Sequence, residues 1–321
     1  MIEDFQSEGD SHLPPNISIL IVSWNVRDLL LRCLAALPAA VGEGLTFETI
    51  VVDNASSDGT VEAVRERHPE VRVIANRENR GFTGGNNQAL AAAHGDFLFL
   101  LNPDTEPHPG SIAELHHFLS EHPQVGIVGP KLRFGDGGIQ PSRRRFPTLA
   151  TLFTESTIIQ QWFPGLPLFG RYYLADVPDD VPQQVDWLVG AALFVRRQAY
   201  EDIGGLDEGF FMYSEELDWC KRAVDAGWQV QYDPAAEIIH HEGKSSEQVV
   251  AARHIRFFSS RVRYTRKYHG NCWAEALRWW LLATFGVQWL REGLKWLVGH
   301  KRPLRVERMR EYGKVLRSGL R

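Results

Sequence analysis

The chain has 321 residues, with 35 Lys and Arg against 40 Asp and Glu and a formal net charge of −5. Its 44% hydrophobic and 23% charged residues exclude a disordered chain and a disulfide-dependent miniprotein. At about 150 residues per domain, the length allows one large domain or two small ones.

Residues 1–15 are acidic and polar, with no apolar core, and read as a flexible segment and not a secretory signal. Residues 17–22 form a β-branched run, the pattern of a buried strand. Residues 27–37 have helical apolar spacing at Leu30, Leu34 and Leu37, and a stop is expected before Pro38. Residues 47–52 and 71–74 are further strands, and Asp58 is an N-cap for a helix through Arg67. A helix with a Gly-rich start is expected over 83–94 and a fourth strand over 96–101. This alternation predicts a mostly parallel sheet flanked by helices. In such sheets ligands sit at the carboxyl ends of the strands.

Residues 134–182 are rich in Gly, Pro and aromatic residues without clear period, and read as a long loop region. An apolar strand-like run follows over 185–196, then a helix over 215–226 and strands over 229–232 and 237–240. From Arg253 the chain reads as helical. There it carries 17 basic and 4 acidic residues, a net +13, against −18 for the first 252 residues. An acidic body with a basic end points to an anionic partner. Residues 273–298 hold five of the ten tryptophans, but the longest uncharged run is 12 residues, too short to span a bilayer. Leu282, Phe285, Trp289 and Trp296 share one helical side; Thr284, Gln288, Arg291 and Lys295 share another. This predicts an amphipathic helix lying on a membrane surface. The plainer reading is a helix packed on the body or on a second copy of the chain. The three cysteines (Cys33, Cys220, Cys272) form no CxxC pair, so a structural zinc site and a disulfide framework are not expected. That usage suits a reducing compartment.

Five motifs stand where chemistry is expected. Val52-Asp53-Asn54 ends a strand with a carboxylate that can accept from a nucleobase or ribose, or merely cap the turn. Asn79-Arg80-Gly81-Phe82 opens a Gly-rich helix start suited to phosphate, yet it lacks the Gly-Lys-Ser/Thr of a P-loop. Asn102-Pro103-Asp104 follows an apolar strand; Asp104 can hold Mg²⁺ or Mn²⁺ on a diphosphate, or the segment is an Asx-Pro turn. Glu215, Glu216 and Asp218 crowd a helix start, either as dipole-complementing acids or around a general base. His240 and His241 end a strand and can complete a metal site, or form a surface pair.

In this order the motifs resemble the family 2 glycosyltransferases of the GT-A fold, and within them the bacterial rhamnosyltransferase-like branch. Val22-Ser23-Trp24-Asn25, Gly85-Asn86-Asn87, Gly190-Ala191-Ala192, Gly204 to Glu208 and His240 to Ser245 add to the match. The resemblance covers about residues 17–246. It implies a GT-A catalytic domain over 16–252, with a nucleotide-sugar half at 16–132 and an acceptor half at 183–252. A basic helical region over 253–321 follows, expected to associate with membrane. Ser23, Asn25, Asp53, Asn54, Arg80, Gly81, Asn87 and Asn102 are then assigned to the nucleotide-sugar. Asp104 and His240 go to a divalent cation, Glu216 with Glu215 to catalysis, and Gly190, Ala191 and Asp218 to the acceptor side. Three departures stand out. Asn102 replaces the first acid of the D-x-D signature, Glu216 replaces an Asp, and Glu242 stands where Gly is common.

The implied reaction is inverting transfer of a sugar, L-rhamnose from dTDP-L-rhamnose by resemblance, to a saccharide or polyprenyl-linked acceptor in cell-surface polysaccharide synthesis. The implied location is the cytoplasm, peripheral to the inner face of the membrane, with a homodimer as a further expectation. A nucleotidyltransferase is the competing enzyme, disfavoured because no Gly-rich loop with Arg and Lys follows the first strand. A non-catalytic sugar-nucleotide-binding protein is disfavoured by the intact acids at 215, 216 and 218. No nucleic-acid motif accompanies the basic end, so nucleic acid is not an expected partner.

Overall fold

The computed structural model describes residues 15–241 and 250–321. The expected N-terminal segment, save Pro15, and the end of the His240 motif, including Glu242, lie outside the described residues.

β1 (Ile17–Ser23) is buried at every position, because both faces of the sheet are covered there. α1 (Arg27–Val41) follows, then β2 (Phe47–Asp53), α2 (Thr60–Arg67), β3 (Arg72–Ala75), α3 (Gly81–Ala92) and β4 (Phe97–Leu101). β1 pairs in parallel with β2 and β4, and β3 pairs in parallel with β2. α1 continues through Pro38, past the expected stop. Pro38 is exposed, so its ring is accommodated on the outer side of the helix, while Ala40 and Val41 extend the buried face. α3 starts two residues earlier than expected, at Gly81.

β5 (Thr105–Pro107), α4 (Ser111–Glu121) and β6 (Val125–Arg133) complete this part of the chain. The region expected as loop contains short elements: β7 (Ile139–Gln140), β8 (Arg143–Arg144), α5 (Leu149–Thr154), α6 (Ile158–Trp162) and α7 (Pro167–Tyr172). Helices of five or six residues are too short to show a period, although Thr148 and Thr157 cap α5 and α6. The expected strand over 185–196 is divided into β9 (Gln183–Val185), β10 (Trp187–Leu188) and β11 (Ala192–Arg196). α8 (Arg197–Ile203) and α9 (Glu215–Asp225) lead to β12 (Gln229–His240), one strand with a register shift between Asp233 and Glu237 where two strands were expected. The long sheet runs β3-β2-β1-β4-β11-β6-β12-β5. β11 and β5 run antiparallel to their neighbours, and the other pairings on this path are parallel. Because β11 lies between β4 and β6, the two halves of the chain share one sheet.

α10 (Val250–His269), α11 (Asn271–Leu297) and α12 (Arg302–Ser318) end the chain. They are fastened to the body. Phe258, Leu277, Leu281 and Phe285 join the same apolar cluster as Leu100 and Trp219. Arg261 forms a buried ion pair with Glu155, and Trp280 donates to the Phe153 carbonyl at 2.6 Å. The expected lipid-facing side of α11 is partly wrong: Leu282 and Phe285 are buried, as is Thr284 from the expected polar side. The cause is that α10 and α12 both pack on α11, which sequence periodicity does not reveal.

Candidate active site

The strand ends converge on one cavity. Ser23 at the end of β1, Asn54 after β2, and Asn102 and Asp104 after β4 line it. Glu215 and Glu216 close the opposite wall beside Gly190 and Ala191, and His240 enters from the end of β12. Four polar atoms in this group are buried without a hydrogen-bond partner: Ser23 Oγ, Asn102 Oδ1, Glu215 Oε2 and Glu216 Oε2. Asp53 Oδ1, behind Asn54, is a fifth. Burying unsatisfied polar atoms is costly, so such a concentration marks a place where a polar ligand is received.

The loops are braced by side chains the sequence assigned to ligand. Asn25 Oδ1 accepts from the Ser57 N–H at 2.8 Å, and the Asn25 N–H donates to Ser56 Oγ at 2.9 Å. Asp53 Oδ2 accepts from the Ser56 N–H at 2.9 Å, which leaves Oδ1 for another donor. Asn54 Nδ2 donates to the Gly81 carbonyl at 2.8 Å, and Asn76 donates to Asn54 Oδ1 at 2.9 Å. Gly81 has φ +78°, and a Cβ there would lie 2.6 Å from the Phe211 carbonyl oxygen, so only glycine fits. Arg80 is exposed beside Asn79 and Gly81, which line the cavity. Asn25, Asp53, Arg80, Asn87 and Asp218 are not among the cavity residues. Asn87 clips onto Leu206, donating to its carbonyl at 2.9 Å and accepting from its N–H at 2.9 Å. Asp218 is buried and accepts from Arg222, Tyr268 and Lys267 at 2.9, 2.8 and 2.6 Å. It joins α9 to α10.

At one end, His240 Nε2 lies 3.4 Å from both Asp104 Oδ1 and Asn102 Nδ2. His240 Nδ1 is 2.9 Å from Gln140 Oε1, an oxygen that can only accept, so Nδ1 donates there and Nε2 is the nitrogen turned toward Asp104. Carboxylate, imidazole and the unpartnered Asn102 Oδ1 thus share one corner. Among the described residues no cluster of three His, Cys, Asp or Glu side chains forms a closed metal site. An open set of this kind fits a cation that completes its shell with phosphate oxygens and water.

Tyr213 and Ser214 both have positive φ, +71° and +66°, and this tight turn delivers α9 with Glu215 and Glu216 against the cavity. A Cβ on Gly190 would press on Glu216 Cβ at 3.3 Å, so glycine there admits the carboxylate. Burial pushes both carboxyls up, and the neighbouring Glu216 charge raises Glu215 well above the usual range. Glu216 is restrained by the N–H groups of Glu216, Leu217 and Gly190 and by the Arg144 guanidinium.

Four contributors escaped the sequence reading. Gln140 and Arg144 lie in the aperiodic region. Arg144 stacks over the Tyr173 ring at 4.5 Å, and burial lowers its pKa from the ordinary arginine value. Arg253 and Arg256 of α10 line the cavity, and Arg256 lies 4.1 Å over the Phe211 ring. Their spacing of three on a helix was the available signal.

A mixed sheet with this strand order, an Asp–His corner open to a cation and a carboxylate pair across a cleft fit a glycosyltransferase of the GT-A fold. Solved structures agree on the fold. A mannosyltransferase from Pyrobaculum calidifontis in complex with GDP-Man and Mn²⁺ superimposes with TM-score 0.55 at 16% identity, covering 96% of this chain and 88% of that one. The GalNAc-T7 structure with UDP, GalNAc and Mn²⁺ gives 0.57 at 15% identity, covering 83% and 51%. Residues 18–204 match Glycosyl transferase family 2, and the chain belongs to that family. It is 31% identical over 284 residues to N-acetylglucosaminyl-diphospho-decaprenol L-rhamnosyltransferase of Mycobacterium tuberculosis, covering 85% of this chain and 91% of that protein. A low-salt glycan biosynthesis hexosyltransferase of Haloferax volcanii is 26% identical over 263 residues, covering 78% and 77%. The chain is thus a family 2 glycosyltransferase of the rhamnosyltransferase-like branch.

Proposed function

We propose that this enzyme transfers L-rhamnose, with inversion, from dTDP-L-rhamnose to a hydroxyl of a lipid-linked saccharide in cell-surface polysaccharide synthesis. The observation that carries this reading is the near full-length similarity to a rhamnosyltransferase whose name specifies a diphospho-decaprenol-linked acceptor. A polyprenyl-linked acceptor would put the reaction at a membrane surface, which we read as the inner face.

Asp53 Oδ1, with Ser23 beside it, faces the nucleoside, and Arg80 at the start of α3 faces the diphosphate. Asp104, His240 Nε2 and Asn102 Oδ1 would hold Mg²⁺ or Mn²⁺, which neutralises negative charge on the diphosphate leaving group when bound. Gly190 and Ala191 border the acceptor side. Glu216 takes the proton of the acceptor hydroxyl. That oxygen attacks the anomeric carbon from the face opposite the nucleotide, the bond from that carbon to the diphosphate oxygen breaks, and the nucleoside diphosphate departs. No covalent sugar–enzyme intermediate forms. Glu215, whose pKa is raised by burial and then by the Glu216 charge, would keep the pair at one negative charge.

The test is incubation of the full chain and Mn²⁺ with dTDP-L-rhamnose, UDP-glucose, UDP-galactose or GDP-mannose, each with a short-chain polyprenyl-diphospho-N-acetylglucosamine. Mass and anomeric configuration of the product are read. Rhamnosylated product of inverted configuration from the dTDP donor alone is expected. Transfer from another donor overturns the rhamnose assignment, and a retained configuration overturns the mechanism.

A further inference from the structure

α11 has two apolar faces, and only one of them is covered. Leu277, Leu281 and Phe285 face inward, in the cluster shared with α10 and α12. Trp279, Ala283, Val287, Leu290, Leu294 and Leu297 recur every three or four residues, so they fall on one other side of the helix. All six are exposed, and Trp279, Leu290, Leu294 and Leu297 reach 63, 59, 63 and 64%. At 1.5 Å per residue this ridge is about 27 Å long. Trp162 and Phe163 at the end of α6 are also more than half exposed, and Arg291 of α11 sits 5.9 Å over the Trp162 ring, which sets them beside the ridge. A continuous exposed apolar surface of this extent marks an interaction site.

We propose that this ridge lies on an anionic lipid bilayer, with α11 parallel to the surface; the inference rests on the lipid-linked acceptor read above. Charge selects the occupant. The chain from Arg253 onward carries a net +13, and Lys301, Arg302, Arg308 and Arg310 of the connection to α12 and of α12 itself are exposed. Pairing this basic region with the same region of a second copy brings like charges together, whereas an anionic headgroup layer complements them. Among the described residues no helix is long and apolar enough to cross a membrane, so α11 lies on the surface. Arginine and tryptophan beside the leucines match the chemistry of the headgroup level.

This orientation also serves the cavity. α10 stands between it and α11. On one side Arg256 and Arg253 line the cavity, and on the other His254 and Phe258 meet Phe285 of α11 at 5.9 and 5.2 Å. The cavity is therefore one helix layer, about 10 Å, from the helix that touches lipid. The diphosphate of a lipid-linked acceptor sits at that level.

The experiment is flotation of the full chain with vesicles of phosphatidylcholine alone or mixed with phosphatidylglycerol. Wild-type protein is expected to float with the mixed vesicles and to lose most binding in phosphatidylcholine alone. The Leu290→Asp/Leu294→Asp variant is expected to bind at least about tenfold more weakly, because two inserted side chains become charged. Trp296→Ala, on another side of α11, is expected to bind as wild type. Bromine-labelled acyl chains are expected to quench tryptophan fluorescence of the wild type, and less so in Trp279→Phe. Equal vesicle binding by the double variant and wild type overturns the proposal. So does a wild type that stays with the unbound fraction, or a variant whose sole change is conversion of a dimer to a monomer in sedimentation. Transfer to the short-chain acceptor is measured in parallel. Its loss in the wild type refutes the functional reading, while its retention without vesicle binding refutes the ridge alone.

Discussion

Gln140 Oε1 accepts a hydrogen bond from His240 Nδ1 at 2.9 Å, joining the short β7 to the end of β12 and turning His240 Nε2 toward Asp104. The chain thereby orients the imidazole through a residue with no direct role in the cleft. Such supporting contacts around metal ligands are worth about 10–100-fold in affinity. Gln140→Leu is expected to raise the Mn²⁺ concentration for half-maximal activity about tenfold. Electron spin resonance of free Mn²⁺ checks the affinity without turnover. An unchanged titration removes His240 from the cation site.

Glu216→Gln is expected to lower kcat by about 10²–10⁴-fold while leaving donor affinity intact, because a base acts on the acceptor and not on the nucleotide. Thermal shift by dTDP-L-rhamnose reads the binding half of this statement. Burial raises the Glu216 carboxyl, so the acid limb of the wild-type rate profile is expected above the ordinary glutamate value. A limb at or below that value argues against Glu216 as the base.

Glu215 has the opposite signature in stability. Its folded pKa lies well above the usual range, through burial and then the Glu216 charge. A raised carboxyl contributes stability that is complete below the unfolded pKa and lost as pH rises through the folded one. Glu215→Gln removes that loss. The variant is expected to melt a few degrees higher than wild type in alkaline buffer and to converge with it near the unfolded glutamate value. Calorimetry across the pH range decides the matter, and a variant destabilised at every pH refutes it.

Arg253 and Arg256 present two cations to a cleft that binds a diphosphate in the proposed reaction. Arg256→Ala is expected to weaken inhibition by the nucleoside diphosphate product about tenfold, a loss typical of one charge-assisted contact. If the arginines instead serve the acceptor, product inhibition stays constant and the KM of the diphospho-lipid rises. Measuring both constants separates the two ligands, and no change in either excludes a binding role.

Burial opposes ionisation of Asp207, yet the Lys267 ammonium, the Gly209 N–H and the Arg263 guanidinium hold its carboxyl down at about 2. Stability from this group is complete above the unfolded aspartate value and declines as pH falls toward 2. Its side chain is 24% exposed, so solvent screening limits the contribution to about 1 kcal/mol. Asp207→Asn is expected to lose about that much at neutral pH and nothing once the wild-type carboxyl is protonated. Denaturant titrations at both pH extremes test the difference.

The residues that end β1, β2 and β4 were legible in the sequence because an apolar strand running into a polar turn is a local pattern. Asp104 and His240 were found the same way, Glu215 and Glu216 as acids crowding a helix start, and all four border the cavity. Asn87 and Asp218 fit the family motif equally well but bond to Leu206 and to Tyr268 and Lys267. A motif records which residue occurs, and the partner that occupies its hydrogen bonds comes from elsewhere in the chain.

Sequence by itself determined the alternation of strand and helix, the order of the catalytic motifs and the concentration of positive charge at the end. These depend on spacing along one segment. Tertiary structure decided the rest. It set β11 antiparallel between β4 and β6, supplied Gln140 and Arg144 from a region without period, and swung α10 so that Arg253 and Arg256 reach the cavity. It also decided which apolar side of α11 is spent on packing and which is left outward. A helix with two apolar sides carries no mark in its sequence to tell them apart. The choice belongs to the helices that pack against it.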